Sequence, residues 1–448
     1  MSSIRKSVLK LALPVTVSSL LQRTEGILSI FLVGGLGAAA IAAVGIGQLI
    51  VFIASTIITG LGAGTTVVIA QLWGAKRNQD AGDAATHAIG VALISAALLI
   101  LIGWLGNRPL MQVLGVADDV IAVAGPYLDI VFLLFPITIL LQLQVAILHG
   151  TGDTRTPMLA MIGVNLCFLF AAYPLIYGMG GLPALGINGA AWGVGLAETV
   201  GNLVLFIRSR SVFSRSTSLR SDLLGSMWEV GMPVFAERSF HHAGSLLFAK
   251  VILLYGTVAY AAHQVGLSIE AFSFMPGYGF AIAAATMVGQ SIGAGKYSRA
   301  KLEHWETNRQ AAIVMAGMGL LFFFFPYALL RIFTTDEAVI ELGTMFLKIA
   351  AVAQIPLALT MVVGGSLRGA GDTRFILNVT LAGMWGVRLP LAFAAGYWWK
   401  LGLIYVWCAM AADWFLRMAL LLMRYQSERW REIQVIRASV PTVSNDRR

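Results

Sequence analysis

Residues 149–157 read HGTGDTRTP, and residues 368–375 read RGAGDTRF. Each is a short polar knot between long apolar runs, and the second copies the first at a fixed interval. Gly150, Gly152, Asp153, Thr154 and Arg155 recur 219 residues later as Gly369, Gly371, Asp372, Thr373 and Arg374. Outward from the knots, the same interval pairs Pro14 with Pro233, Gly47 with Gly266, Gly60 with Gly279, Gln71 with Gln290, and Gly74 with Gly293. A spacing kept over most of each half marks a duplicated architecture.

The 448 residues are 58% hydrophobic and only 12% charged, against roughly 25% charged in a soluble domain. Mean hydropathy is +0.80. This is the composition of a polytopic membrane protein, in which each crossing takes about 20 apolar residues. Apolar runs and breaker residues predict spans near 11–33, 41–73, 82–106, 121–149, 157–178 and 186–207. After the basic, Ser-rich stretch RSRSVFSRSTSLRSD at 208–222, they predict six more near 223–254, 259–293, 305–331, 338–367, 375–398 and 401–423. An even number of spans per half makes both halves enter from the same side, a parallel repeat about an axis along the membrane normal. The expected units are an N-lobe over 1–207, a cytoplasmic linker over 208–222, a C-lobe over 223–424 and a cytoplasmic tail over 425–448.

The formal charge of +9 raises nucleic acid as a partner, but the distribution of Lys and Arg excludes it. Most fall in the N-terminus, alternate loops and the tail, whereas the opposite loops hold only Arg108, Arg331 and Lys400. That bias sets orientation and places both termini in the cytoplasm. Cys167 and Cys408 lie in apolar runs without metal or redox spacing, and they read as lipid-facing or core residues. His149 and His263 read as interfacial residues, and no metal site is expected. The N-terminal MSSIRKSVLKLALPVTVSSLL imitates a secretory leader but reads as the first span, because no small-residue cleavage site follows and the apolar run continues to Val33. Each knot joins the fourth and fifth spans of its half on the cytoplasmic side. Its glycines allow a sharp turn, Thr156 is placed to cap the next helix with Pro157 at the first position, and Arg155 is a cytoplasmic anchor.

Several stretches, in order and spacing, carry a resemblance: LALPVTVSSLLQ (11–22), FLVGGLGAAAIAAVGIG (31–47), GTGDTRTP (150–157), GINGAAWG (186–193), VGMPVFAE (230–237), GTVAYAAHQV (256–265), MVGQSIGAGKYSRA (287–300) and GAGDTRF (369–375). Together they resemble the multidrug and toxic compound extrusion (MATE) transporters, particularly the bacterial DinF-like branch, from about residue 8 to residue 425. The resemblance implies an all-α protein of twelve transmembrane helices in two six-helix lobes arranged as a V around a central cavity. It further implies an exporter of organic, often cationic, compounds against an inward flow of H⁺ or Na⁺. A major-facilitator transporter usually carries a Gly-x-x-x-Asp-Arg-x-Gly-Arg type loop after its second span, where this chain has WGAKRNQDAGD (73–83). The remaining alternative is a flippase or exporter of a lipid-linked or other amphipathic metabolite in the same superfamily. An enzyme is not expected, because Gly-x-Ser-x-Gly, His-Glu-x-x-His and paired intramembrane aspartates are all missing. No cofactor beyond the coupling ion is expected. The expected partners are small organic molecules and the bilayer of the cytoplasmic membrane, with the protein working as a monomer.

Glycines and prolines recur between the halves, but the charges within spans do not. Glu25 aligns with Gly244, and Glu237 with Ser18. An ionisable group near mid-bilayer costs about 2.5–3.5 kcal/mol on insertion scales, so each should face a cavity or a partner. The cation-coupling candidates are Glu237, Glu25, Glu198 and Glu270. In the DinF-like branch the first span carries an Asp, and the matching residue here is Ser29. The fifth-span pair of that branch is represented here by Phe168 and Ala172, with only Asn165 of the motif retained. Glu25 lies one turn before Ser29 on the same face, so it reads either as a displaced coupling acid or as a partner of Arg23. Glu237 matches a family acid, and pairing with Arg238 or Arg388 is its structural alternative. Asp413 and Arg417, at i and i+4, read as an intrahelical pair. Candidate substrate or cavity residues are Ser29, Asn165, Arg238, His241, Phe274, Met275 and Tyr278. The aromatic and Met members of FSFMPGYGF (272–280) would supply an adaptable apolar lining.

Overall fold

A computed structural model of the chain describes residues 2–436 apart from positions 114, 116, 182, 211 and 214–219. Part of the expected linker and the tail beyond 436 therefore lie outside the described residues. Twelve long helices account for nearly all the rest. The first lobe comprises α1 (Ser2–Val33), α2 (Ala38–Gly74), α3 (Asn78–Val113), α4 (Asp118–Thr151), α5 (Arg155–Tyr177) and α6 (Ile187–Ser209). The second comprises α7 (Ser221–Leu253), α8 (Thr257–Gly293), α9 (Tyr297–Phe324), α10 (Glu337–Ala370), α11 (Thr373–Trp398) and α12 (Leu403–Gln426). Among the described residues, nine of these are long and apolar enough to cross a membrane. The other three, α1, α7 and α9, fall short because they carry the charge: Glu25 in α1, Glu237 and Arg238 in α7, and the polar first turns of α9.

Helix ends depart from the sequence reading in physically readable ways. α1 begins at Ser2 rather than near 11, because nothing in SSIRKSVLK breaks a helix. The ninth span is interrupted where Pro326 opens a separate short helix, Pro326–Arg331, after Phe325. Asp153, not Thr156, caps α5: its Oδ1 accepts from the backbone N–H of Arg155 and Thr156, and its Oδ2 accepts from Thr156 Oγ1 at 2.6 Å. In the second knot, Asp372 instead holds Arg424 at 2.7 Å. Two copies of one turn have taken different partners.

α11 is not a uniform α-helix. It widens into i→i+5 turns over Leu381–Arg388 and again over Ala394–Trp398. Pro390 lies between them, and a proline inside a helix removes one N–H and crowds the preceding turn. Such widened turns often occur at functional sites.

The lobes exchange their first helices' contacts reciprocally. Val8 and Ala12 of α1 bury themselves with Phe280, Ala283, Ala284 and Met287 of α8. Met227 and Val230 of α7 bury themselves with the Val67–Ile69 stretch of α2. At the end carrying the knots, α2 and α8 cross so closely that a Cβ on Gly74 would collide with Gln290 O, and one on Gly293 with Gln71 O. The recurrent pair Gly74 and Gly293 therefore marks a point of backbone-to-backbone approach, whereas the recurrent Gly47 and Gly266 make room for the rings of Tyr127 and Phe346.

At the beginning of α7, Arg220 binds both Asp80 of α3 and Asp222, at 3.0 and 2.8 Å. Its hydrogen bonds hold the Asp222 carboxyl below the usual carboxylate range.

Candidate functional site

α1, α2, α4, α5 and α6 enclose a cavity of about 330 Å³ in the first lobe. Its ionisable walls are Glu25 and Glu198, and Ser29 lies along the same wall one turn beyond Glu25. Glu198 Oε2 accepts from Thr138 Oγ1 at 2.5 Å. Gln48 Nε2 donates to Gly26 O at 2.9 Å, fixing α2 against the turn of α1 that carries Glu25. Gln22, Gln142 and Tyr127 complete a polar lining within otherwise apolar walls. Neither carboxylate makes an ion pair among the described residues, and Arg23, the sequence-level partner considered for Glu25, lines a different cavity in the second lobe. Asn165 is not part of this wall. It is buried behind Met161, to whose carbonyl its amide donates at 2.9 Å.

This cavity adjoins a central one of about 170 Å³, since Gln22, Gln142 and Val145 line both. The central cavity lies between the lobes, with Ser18 and Ser19 of α1 on one side and Arg238 and Tyr278 on the other. Arg238, Tyr278 and Arg368 lead on into a smaller cavity of the second lobe, about 110 Å³, where Glu237, His241 and Phe274 join them. His241, Phe274 and Trp414 in turn border a further cavity of about 250 Å³ containing Glu270, Met275, Arg23 and Arg388. A chain of neighbouring cavities that share wall residues thus gathers ten of the eleven predicted site residues, all except Asn165.

The second lobe is dense in paired charge. Glu237 does not pair with Arg238 or Arg388 but with Arg368 of α10, whose Nη2 lies 2.9 and 2.8 Å from its two oxygens. Thr380 Oγ1 adds a longer contact of 3.4 Å. Asp413, fully buried, is held by Arg417 at 2.5 and 3.0 Å and also by Arg388 at 2.7 Å. The intrahelical pair read from the sequence is therefore a triad joining α11 to α12. Gly383 makes room for it, because a Cβ there would strike Asp413 Oδ1 and lie 2.7 Å from Arg417 Nε. Trp414 packs under both guanidinium groups, at 5.3 Å from Arg388 and 5.1 Å from Arg417, a favourable cation–π arrangement.

Two histidines differ from their sequence reading. His149 and His263 are buried rather than interfacial, and His263 lies edge-on between Phe248 and Phe346. Among the described residues, no group of three or more His, Cys, Asp or Glu side chains is arranged to hold a metal ion. Sequence reasoning missed Arg368, which it absorbed into a loop knot, and the neutral residues Thr138, Gln22, Gln48 and Gln142. Polar residues within an apolar span are a signal for the latter group, but only burial shows which of them meet.

The MatE family model matches residues 14–173 and 233–394. The two matched stretches begin 219 residues apart, the interval of the repeat itself. A relative in Thermotoga maritima, "Probable multidrug resistance protein NorM", is 30% identical over 97% of this chain and 94% of its own length. Among solved structures, a MOP superfamily transporter from Pyrococcus furiosus has a TM-score of 0.87 at 19% identity, covering 96% of this chain and 97% of that one. The outward-facing conformation of a multidrug resistance MATE family transporter also gives 0.87, at 20% identity, covering 95% of this chain and 97% of that one. The repeat, the twelve helices and the two matched halves have one explanation: this chain belongs to the MatE family of membrane transporters.

Proposed function

We propose that the protein is a secondary active multidrug efflux antiporter of the cytoplasmic membrane. It exports organic compounds in exchange for H⁺ or Na⁺ by alternating access, works as a monomer, and has both termini in the cytoplasm. The names borne by its relatives support the efflux reading. One observation supports the coupling reading above the others: Glu25 and Glu198 share a cavity that offers them no cation. Glu237, the best sequence match to a family acid, has both oxygens engaged by Arg368, and is less free to exchange an ion.

Two ionised carboxylates facing one apolar-walled cavity repel each other, and a proton or Na⁺ relieves that repulsion. An ion bound there favours the lobe arrangement in which the cavity is shaped around it. A substrate favours another arrangement through its own differential affinity. Ion and substrate then compete through the equilibrium between lobe positions, and the competition is reciprocal by linkage. The lobes, taken as 1–207 and 223–424, move as units in this reading.

The test is transport in proteoliposomes with proton and sodium gradients imposed separately. Wild type is expected to move substrate uphill under one gradient, and Glu25→Gln and Glu198→Gln to lose uphill movement. Undiminished uphill transport by the double variant Glu25→Gln/Glu198→Gln would remove the first lobe from the coupling mechanism.

A further inference from the structure

The inner face of the second lobe holds four arginines: Arg238 on α7, Arg368 on α10, Arg388 on α11 and Arg417 on α12. Three have carboxylate partners, with Arg368 on Glu237 and both Arg388 and Arg417 on Asp413. Arg238 alone has no ion pair and no hydrogen bond among the described residues, and its Nε is buried without a partner. The nearest acid in sequence, Glu237, is already engaged by Arg368. The remaining acid of the region, Glu270, lies in the next cavity together with Arg388 and Arg23.

A guanidinium left unpaired within a membrane span is costly and marks a functional position. Arg238 lines both the central cavity and the adjoining cavity of the second lobe, so a molecule in either one reaches it. Ser18, Ser19, Gln22 and Thr59 offer hydrogen bonds in the same central space, and Tyr278 offers an aromatic wall. The neighbouring first-lobe cavity, which shares Gln22, Gln142 and Val145 with the central one, holds Glu25 and Glu198, and these form no ion pair among the described residues, just as Arg238 forms none.

We infer that Arg238 is an anion subsite, and that the molecules this protein prefers are zwitterionic amphiphiles. Their acidic group is received by Arg238 in the central cavity, and their cationic group points to the Glu25–Glu198 cavity. The planar guanidinium suits a carboxylate or another oxyacid group, to which it can donate two parallel hydrogen bonds. This inference rests on the efflux reading for its physiological sense, but it is tested by binding alone.

The probes are tetramethylrhodamine with a free carboxylate, a zwitterion, and its methyl ester, which is only cationic. Their affinities for the purified full-length protein are read by fluorescence anisotropy. Wild type is expected to bind the acid about tenfold or more tightly than the ester, since a hydrogen bond to a charged group contributes about 1.5–3 kcal/mol. Arg238→Gln is expected to lose that preference while keeping its affinity for the ester, Arg238→Lys to keep part of it, and Arg238→Glu to reverse it. Equal affinities for acid and ester in wild type would overturn the inference. So would an equal loss of both in Arg238→Gln, which would make Arg238 a packing residue. The same two probes in proteoliposomes separate the two readings. Selective binding without gradient-driven movement would sink the antiport reading and leave the subsite standing, and uphill transport without selectivity would do the reverse.

Discussion

Gln71 of α2 and Gln290 of α8 each close the other lobe's knot. Gln71 Nε2 donates to Gly369 O, and Gln290 Nε2 to Gly150 O, both at 2.9 Å. The two glutamines are repeat equivalents, and so are the two glycines. Each copy of the repeat thus supplies a donor to the other copy's turn and a carbonyl to the other copy's donor. This reciprocal pair fastens the lobes at the knot end, where Gly74 and Gly293 let the backbones of α2 and α8 meet.

Loosening that fastening should bias the lobes toward opening at the knot end. A net hydrogen bond contributes about 1 kcal/mol, so Gln71→Ala or Gln290→Ala should each shift the closed-to-open ratio about fivefold, and the double variant further. Spin labels at exposed Arg155 and Arg374, in a background lacking Cys167 and Cys408, report the distance between the knots. An unchanged distance distribution in the double variant would mean that helix packing alone keeps this end shut.

Orientation is tested at the same two positions. Thr154 and Thr373 are unsuitable for labelling, being only 2% and 1% exposed, whereas Arg155 and Arg374 are open. Single cysteines there should resist impermeant thiol reagents in intact cells and react in inside-out vesicles. Reaction of both in intact cells would invert the proposed topology, and reaction of only one would contradict the parallel repeat.

The Asp413 triad should behave as structure rather than as coupling chemistry. Removing one partner from a buried ion pair leaves an uncompensated charge and costs about 3–5 kcal/mol. Asp413→Asn strands both Arg388 and Arg417, so it should lower the thermal midpoint and protein level more than Glu237→Gln, whose partner Arg368 is a fifth exposed. Gly383→Ala should act in the same direction by pushing a methyl group into the triad. A stable Asp413→Asn protein that binds normally but cannot be driven by a gradient would move Asp413 into the coupling machinery.

What the sequence disclosed depends on how far apart the interacting residues lie. Glu25 and Ser29, or Asp413 and Arg417, are one helical turn apart, and the 3.6-residue period places each pair on a common face. The 219-residue repeat exposed Gln71, Gln290, Gly74 and Gly293 as special, though not what they touch. Glu237 and Arg368 are separated by 131 residues, and no local pattern joins them. Arg388 reaches Asp413 from a stretch of widened turns that neither periodicity nor propensity anticipates. Asp153 displaced Thr156 as the cap because a carboxylate three residues earlier can take two N–H groups and the hydroxyl together. His149 and His263 were misplaced because a histidine in an apolar run looks interfacial unless its packing is known.

The final prediction concerns a second fastening, made by the segment after α12. Trp430 is buried beside Tyr425, their rings 5.2 Å apart, and donates Nε1–H to Tyr425 O at 2.9 Å. Five residues later, Val435 is buried in the cluster that includes Leu223 and Met227 of α7 and Val67 to Ile69 of α2. Its carbonyl accepts from Ser226 Oγ at 2.7 Å. The segment therefore starts on the second lobe and ends in a core that includes first-lobe helices, directly over the second knot, since Val435 Cγ2 occupies the place of a Cβ at Gly371. If the lobes part at this end, one of the two attachments must let go. Burying an aliphatic side chain contributes about 1.5–3 kcal/mol, so Val435→Asp should release the strap and shift the knot-to-knot distance in the same direction as Gln71→Ala. It should also make the chain after Gln426 more sensitive to protease at an unchanged thermal midpoint of the helical core. Combining Val435→Asp with Gln71→Ala/Gln290→Ala should open this end further than either alone. A Val435→Asp protein whose distance distribution matches wild type would show that the strap rides on the second lobe without restraining the first.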